Sequence, residues 1–514
     1  MADAFRPDPD LPQAHFEAAR LSESGNAQLA RGRVADALAA HRRAAALWPQ
    51  SGAIQCNLGN ALQAARLPEE AEAAFRRALA VQADMAEAHN NLGAILLQRR
   101  RPAEALAALD RAIALRPGYA DAWYNRGNGL IAIDQPAEAE AAFRRALALA
   151  PGHARARLNL SVLASNRGNA LVAANRPREA LHAYREALEA DPDSPDIRYN
   201  ESLARLVLGE FAAGWTGYES RSACKGRKVP RVFGAPRWDA RTPLSGRSIL
   251  LYAEQGLGDT LQFARYIPLL AARGAKVHLE AQRSLHALLR ASFPDLGSLV
   301  GKGDPLPGAD LHFPLLSLPG AFGTSLDSIP SGSGYLRPPA DRIRRWRTRF
   351  AAEARPRVGL VWSGAAGHQN DLRRSLTFER LARALPTSGI RYVSLQKEVR
   401  ETDLPSLRAF PSLVALGSEV SDFADTAAAA AELDLILSVD TSVAHLGGGL
   451  GRPTWILLPF SPDWRWLLDR TDSPWYPTVR LFRQSEPDRW DPVLDHLHEA
   501  LTRWARDRPD LPAR

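Results

Sequence analysis

The chain has only two cysteines, Cys56 and Cys224, and neither has a Cys or His partner at metal spacing. That argues against a disulfide framework and a zinc site and points to a reducing compartment. Lysine is scarce, five of 65 basic residues. No stretch approaches the ~18 apolar residues that a membrane-crossing helix needs. From Met1 to Gln13 the chain carries Asp and Pro where a secretory signal would carry a basic end and an apolar run. A cytoplasmic location is therefore expected.

What remains is a globular composition, 46% hydrophobic and 24% charged over 514 residues, enough for about three domains of ~100–200 residues each. The net charge of +8 is carried by arginine. In the first half Arg alternates with Glu on helix faces, as in Glu72 with Arg76, which reads as solvated helix decoration. No basic stripe interleaved with aromatics is present, so no nucleic-acid partner is expected.

The first two-fifths repeats. Gly25, Gly59, Gly93 and Gly127 are spaced by 34 residues, as are Ala37, Ala71, Ala105 and Ala139, and Pro68, Pro102 and Pro136. Each unit reads as two short amphipathic helices, brought close at the small residues. Proline restarts the chain at the first turn of the second helix, where its missing N–H costs nothing. The period slips once: Asn125-Arg126-Gly127-Asn128 recurs 41 positions later at Asn166-Arg167-Gly168-Asn169. The seven extra residues are close to two helical turns, so an extended helix keeps its apolar face.

Period and pattern over residues 17–226 resemble tetratricopeptide repeats, which bury a core only by stacking and present a concave surface for an extended peptide. Asn57, Asn91, Asn125, Asn166 and Asn200 share one place in the first helix. Two readings stand. The amides either bond helix pairs together or form a ladder that donates to and accepts from a bound peptide, as the asparagines do in the similar repeat array of protein O-GlcNAc transferase.

Between Cys224 and Gly246 the helical period breaks into a Pro-, Gly- and base-rich linker. From Ser248 onward short apolar runs alternate with helical stretches. Candidate strands are 248–253, 276–280, 311–315, 357–362, 391–395, 435–439 and 454–458. This alternation predicts parallel α/β units. The expected organisation is an N-terminal extension (1–16), the repeat array (17–226), a linker (227–245), and two Rossmann-like domains (246–338 and 339–514). Ligands of open α/β sheets bind outside the carboxyl ends of the strands.

Three segments sit at such ends. Glu254-Gln255-Gly256-Leu257-Gly258-Asp259-Thr260 turns tightly into a helix, with Asp259 at its start. Asp259 is either a plain helix cap or a carboxylate that accepts a hydroxyl proton in a cleft. Trp362-Ser363-Gly364 leads into a polar loop through His368, Asn370, Asp371, Arg373, Arg374 and Ser375. This loop suits an anionic group or is simply solvated. Leu437–Leu446 ends a buried strand at Asp440 and begins a helix whose free N–H groups could hold a diphosphate. There Thr441 and Ser442 add hydroxyls and His445 lies one turn in. The alternative for this segment is a cap followed by a core histidine.

Gly256-Leu257-Gly258-Asp259, with Asp440-Thr441-Ser442 and His445-Leu446, resembles the ADP-heptose:lipopolysaccharide heptosyltransferase family over roughly 246–485. The joined architecture is similar to bacterial tetratricopeptide-repeat glycosyltransferases, through Ser394–Lys397, Asp422–Thr426, Leu458–Trp466 and Asp472–Pro477. The first α/β half is shorter than in heptosyltransferases, and Ser442 stands where many of them have glycine. The resemblance implies an α + α/β chain: a tetratricopeptide superhelix followed by a two-domain GT-B (twin Rossmann-like) glycosyltransferase, inverting and without metal or other cofactor.

In that scheme Asp259 is the catalytic base. The donor and its phosphates are held by Gly258, Arg374, Gln396, Lys397, Asp422, Phe423, Asp440, Thr441, Ser442 and His445. The partners implied are a nucleotide sugar and a protein or glycan acceptor selected by the repeat array. The alternative function is a non-catalytic adaptor or nucleotide-sugar sensor.

Overall fold

A computed structural model describes residues 13–507 except 225, 227–230, 333, 353–355, 368–369 and 411. Most of the 1–16 extension, the start of the 227–245 linker, and His368 thus lie outside the described residues. The chain divides into two compact units, one of 1–166 with 185–193 and the other of 167–184 with 194–514.

Between residues 13 and 218 the described chain is helical: α1 Gln13–Ala30, α2 Val34–Leu47, α3 Gly52–Ala64, α4 Pro68–Val81, α5 Ala86–Gln98, α6 Pro102–Leu115, α7 Ala120–Ala132, α8 Pro136–Leu149, α9 Ala154–Ala173, α10 Pro177–Ala190, α11 Pro195–Val207 and α12 Phe211–Tyr218. Proline opens α4, α6 and α8. The repeated glycine has a steric cause. A Cβ on Gly59 would lie 2.5 Å from Phe75, and one on Gly93, Gly127 or Gly168 would come equally close to Leu109, Phe143 or Tyr184. Each glycine thus receives a large side chain from the second helix, sixteen residues on. The slip is absorbed in α9, which has 20 residues where α7 has 13.

One reading of the sequence is overturned here. Glu72 is not solvated decoration. It is 2% exposed and paired with Arg76, Arg99 and Arg101, the last at 2.8 Å.

The second unit holds two parallel sheets. The first takes β1 Ser248–Tyr252, β2 Lys276–Ala281, β3 Leu299–Gly301 and β4 Leu311–Pro314 in the order β3-β2-β1-β4. The other takes β5 Arg357–Val361, β6 Arg391–Ser394, β7 Leu413–Ala415, β8 Leu435–Val439, β9 Thr454–Leu458 and β10 Val479–Arg483 in the order β10-β9-β8-β5-β6-β7. The pairings are parallel throughout. β5, β8 and β9 are buried along their whole length, as strands covered on both faces are. β3, β7 and β10 were not among the expected strands. β3 and β7 have three residues each, too few to show a pattern.

α11 and α12 belong to this same unit. Phe211, Trp215 and Tyr218 are buried in one core with Phe263, Trp464 and Trp475, and the Trp215 indole donates to the Thr324 carbonyl at 2.8 Å. No described helix is long and apolar enough to cross a membrane.

Candidate functional site

In the six-stranded sheet the chain leaves β5 toward β6 and β7 on one side, then returns to β8 and continues to β9 and β10 on the other. The crevice outside the carboxyl ends of β5 and β8 is where such a sheet takes a ligand. Ser363 and Gly364 follow β5 there, and Asp440, Thr441 and Ser442 follow β8. Arg374 joins the two: its guanidinium donates to the Asp440 carbonyl at 2.9 Å. The same guanidinium lies against Gly364, where a Cβ would be 2.6 Å from Nη2. The Ser363 hydroxyl is buried and has no hydrogen-bond partner among the described residues. The helix Ser442–Gly449 starts at Thr441, whose side chain makes no capping bond and instead meets the Ser438 hydroxyl at 3.1 Å. The first N–H groups of that helix therefore keep no side-chain cap.

The helix Leu257–Phe263, which follows β1 in the other sheet, packs onto this start. A Cβ on Gly258 would sit 2.8 Å from the His445 ring and 3.5 Å from the Ser442 Cα. Gly258 thus serves as the close-approach point between the two helices. Asp259 is the next residue on the helix Leu257–Phe263. Its Oδ2 accepts from the Gly256 backbone N–H at 2.8 Å, and its Oδ1 is paired with Arg465 from the loop after β9. The bond from the Gly256 N–H gives Asp259 a helix-capping role, at the third helical position with Gly256 as the N-cap.

His445 donates to or accepts from the Tyr476 hydroxyl at 2.9 Å and stacks on Trp466 with ring centroids 5.3 Å apart. Burial first, then the Arg465, Arg265 and Arg374 guanidiniums, hold its pKa well below the usual histidine range, so it is neutral at pH 7. Asp440 shifts the other way. Burial raises its pKa, the Asp463 charge adds to this, and the Trp466 N–H, Arg374 and Arg465 oppose it. Asp440 and His445, two buried titratable groups shifted in opposite directions, mark the helix start as a candidate site.

The remaining expected donor residues are placed differently. Gln396 is buried and its amide is spent on backbone. It accepts from the Trp362 and Ser363 N–H groups, both at 3.2 Å, and donates to the Ser363 and Glu398 carbonyls, both at 3.0 Å. It builds the floor of the crevice. Asp422 caps the helix Phe423–Ala431, accepting from Ala424 and Asp425 N–H at 3.0 Å, and pairs with Arg342. Lys397 is exposed and donates to the Ser421 carbonyl at 3.3 Å beside it. Phe423 packs against the core. Lys397, Asp422 and Phe423 thus form a second cluster around the start of that helix.

The asparagines of the array bond neighbouring first helices. Asn57 donates to Ser22 at 3.0 Å, Asn91 to Asn60 at 2.7 Å, Asn125 to Asn90 at 2.9 Å and Asn200 to Asn169 at 3.2 Å. Asn166 is exposed. Asn159, passed over in the sequence, donates to Asn128 at 2.8 Å. Its signal was available, because it lies 34 residues after Asn125, before the slip. Arg465, Asp463, Trp466 and Tyr476 were quoted only as parts of recurrent segments, and Gln262 and Ser363 were given no role.

Profiles of the tetratricopeptide repeat match residues 56–120 and 165–218, and a second such profile matches 120–153. The chain carries tetratricopeptide repeats. It is 27% identical over 329 residues to the protein FlbA of Caulobacter vibrioides, a match covering 58% of this chain. The chain spans about half, 54%, of that relative's length. Among solved structures, MamA is 24% identical with a TM-score of 0.29, covering 33% of this chain and 94% of its own. PilF of Pseudomonas aeruginosa is 20% identical with a TM-score of 0.34, covering 41% and 93%. YrrB, a repeat protein described as having an unusual peptide-binding site, is 24% identical with a TM-score of 0.29, covering 34% and 87%.

Proposed function

We propose that the chain is a glycosyltransferase of GT-B type that moves a sugar from a nucleoside-diphosphate donor to an acceptor held by the repeat array. One observation carries the reading. The helix bearing Asp259 packs at Gly258 against the uncapped helix start at Thr441–Val443, which supports reading a carboxylate base beside an anion-binding helix end. In the proposed step the acceptor hydroxyl gives its proton to Asp259 as its oxygen attacks the anomeric carbon. The bond from that carbon to the diphosphate oxygen breaks, and the electron pair leaves with the diphosphate. The leaving charge develops against the helix start and the Arg374 guanidinium, whose positive potential needs no reorganisation. His445 stays neutral beside it, and Ser363 is a free hydroxyl in the same crevice.

A second reading, a nucleotide-sugar sensor without turnover, is favoured by the engagement of both Asp259 oxygens. Calorimetry with UDP, GDP, ADP and CMP, together with release of nucleotide from the corresponding sugars, separates the two. Binding with turnover that Asp259→Asn abolishes supports the transferase. Binding without turnover by the wild type supports the sensor. Absence of binding to all four sinks both.

A further inference from the structure

We propose that Arg465 is the positioning residue for Asp259: it reaches from the six-stranded half into the other half and fixes the carboxylate in the orientation needed to take a proton. The inference rests on reading Asp259 as the base.

Arg465 is 6% exposed. Its Nη2 pairs with Asp259, its Nη1 with Asp463 at 2.8 Å, and its Nε donates to Gln262 Oε1. The guanidinium carbon lies over the Trp464 ring, 4.4 Å from its centroid. A buried cation is costly unless paired and fully bonded, and one carboxylate would answer the charge. Here there is more. Asp463, on its own loop, and the Trp464 face fix the fork from behind, so that Nη2 is aimed at Asp259. Gln262 lies three residues after Asp259 on the same helix face, so the fork grips that helix at two points. With Oδ2 on the Gly256 N–H and Oδ1 on Arg465, the carboxylate cannot rotate. A carboxylate offers about four acceptor positions, so each oxygen keeps a lone pair for a substrate hydroxyl. Lysine, a point charge without a fork, could answer the charge but not reproduce the three directions. The same guanidinium acts on Asp440 and His445 electrostatically, so one cation serves both the base and the leaving-group side.

The test uses the full chain and a nucleotide sugar that the wild type turns over, among UDP-, GDP-, ADP- and CMP-sugars. Arg465→Ala, Arg465→Gln, Arg465→Lys and Asp259→Asn are compared for kcat and donor KM, after melting curves confirm folding. Misplacing a catalytic group by about 1 Å costs on the order of 100-fold. The expected result is a kcat lowered about 10- to 100-fold in Arg465→Ala and Arg465→Gln, with donor KM within about threefold. Arg465→Lys stays low, and low, non-denaturing guanidinium chloride restores part of the Arg465→Ala rate. The proposal is overturned if Asp259→Asn is inactive while Arg465→Ala keeps a wild-type kcat, or if donor KM alone changes. Full activity of Arg465→Lys would also overturn it, by reducing the role to charge. Failure of the underlying reading looks different. Either the wild type turns over none of the sugars, or Asp259→Asn turns over like the wild type.

Discussion

Glu72 survives at 2% exposure because guanidiniums from two repeats close around it: Arg76 from its own helix, and Arg99 and Arg101 from the turn after α5. Burial pushes its pKa up, but the hydrogen bond from Arg99 and the charges of Arg76 and Arg101 outweigh that and bring it below the usual glutamate range. A depressed carboxylate contributes stability above its ordinary pKa, and that stability is lost as pH falls through the native value. The arginines are 31–50% exposed, so screening reduces each pair. The expected loss in Glu72→Gln is about 1–2 kcal/mol near pH 7. It should shrink as the pH falls below the ordinary glutamate pKa of about 4.3, where the unfolded chain takes up the proton before the native one does. Urea melts at pH 7 and pH 3.5 check this, and an equal loss at both pH values would contradict it. From the sequence only the Glu72–Arg76 spacing was visible, and within one helix that spacing looks like surface. Asp440 was legible because it follows a buried strand directly, and Asp259 because it lies in the first turn of the helix after β1. Arg465 was not, because its partner lies 206 residues away and no local spacing records it.

At the scale of elements, the asparagine positions were legible by period but their direction was not. A 34-residue spacing places Asn91 and Asn125 on equivalent turns. It does not say whether the amide faces solvent or the next repeat. In the structure Asn90 is the node: it donates to Asn91 at 2.9 Å, accepts from Asn125 at 2.9 Å, and is 5% exposed. Removing one partner of a buried hydrogen bond strands the other, at about 1–3 kcal/mol. Asn90→Ala should therefore lower stability by that amount, whereas exposed Asn166→Ala should stay within about 0.5 kcal/mol of wild type. Equal, near-zero effects in paired urea melts would show that the amides do not hold the helices. Peptide capture that is lost in Asn166→Ala alone would return the display role to the slip position. The same logic applies to the turns between helices. Arg66, Arg100, Asp134 and Asn175 take positive φ at periodic places, which the sequence hid because the residue type there varies.

For the second unit as a whole, the question is where the repeats end and the α/β fold begins. Composition breaks after Cys224, so a cut at 226/227 looks natural in the sequence. The packing argues otherwise. Trp215 meets Trp464 edge-on at 5.3 Å, Phe211 meets Trp475 at 6.0 Å, and Tyr218 meets Trp464 at 6.3 Å. Arg221, 2% exposed, bonds Glu254 at 2.8 Å and Ser317 at 2.7 Å, just before the loop that carries Asp259. A fragment of residues 227–514 would uncover this aromatic wall and leave Glu254 without its partner. Burying each of the three aromatics is worth about 1.5–3 kcal/mol, so their loss approaches the whole stability of an ordinary domain, about 5–15 kcal/mol. A fragment of 194–514 keeps both α11 and α12. It should melt cooperatively, whereas 227–514 should lack a cooperative transition and bind a hydrophobic dye such as ANS at room temperature. Melting of 227–514 within about 3 °C of the longer fragment would mean that the aromatic wall is stable when bare. In that case the last helix pair would be a neighbour of the α/β fold, and Arg465, stacked on Trp464, would hold Asp259 without support from the repeats.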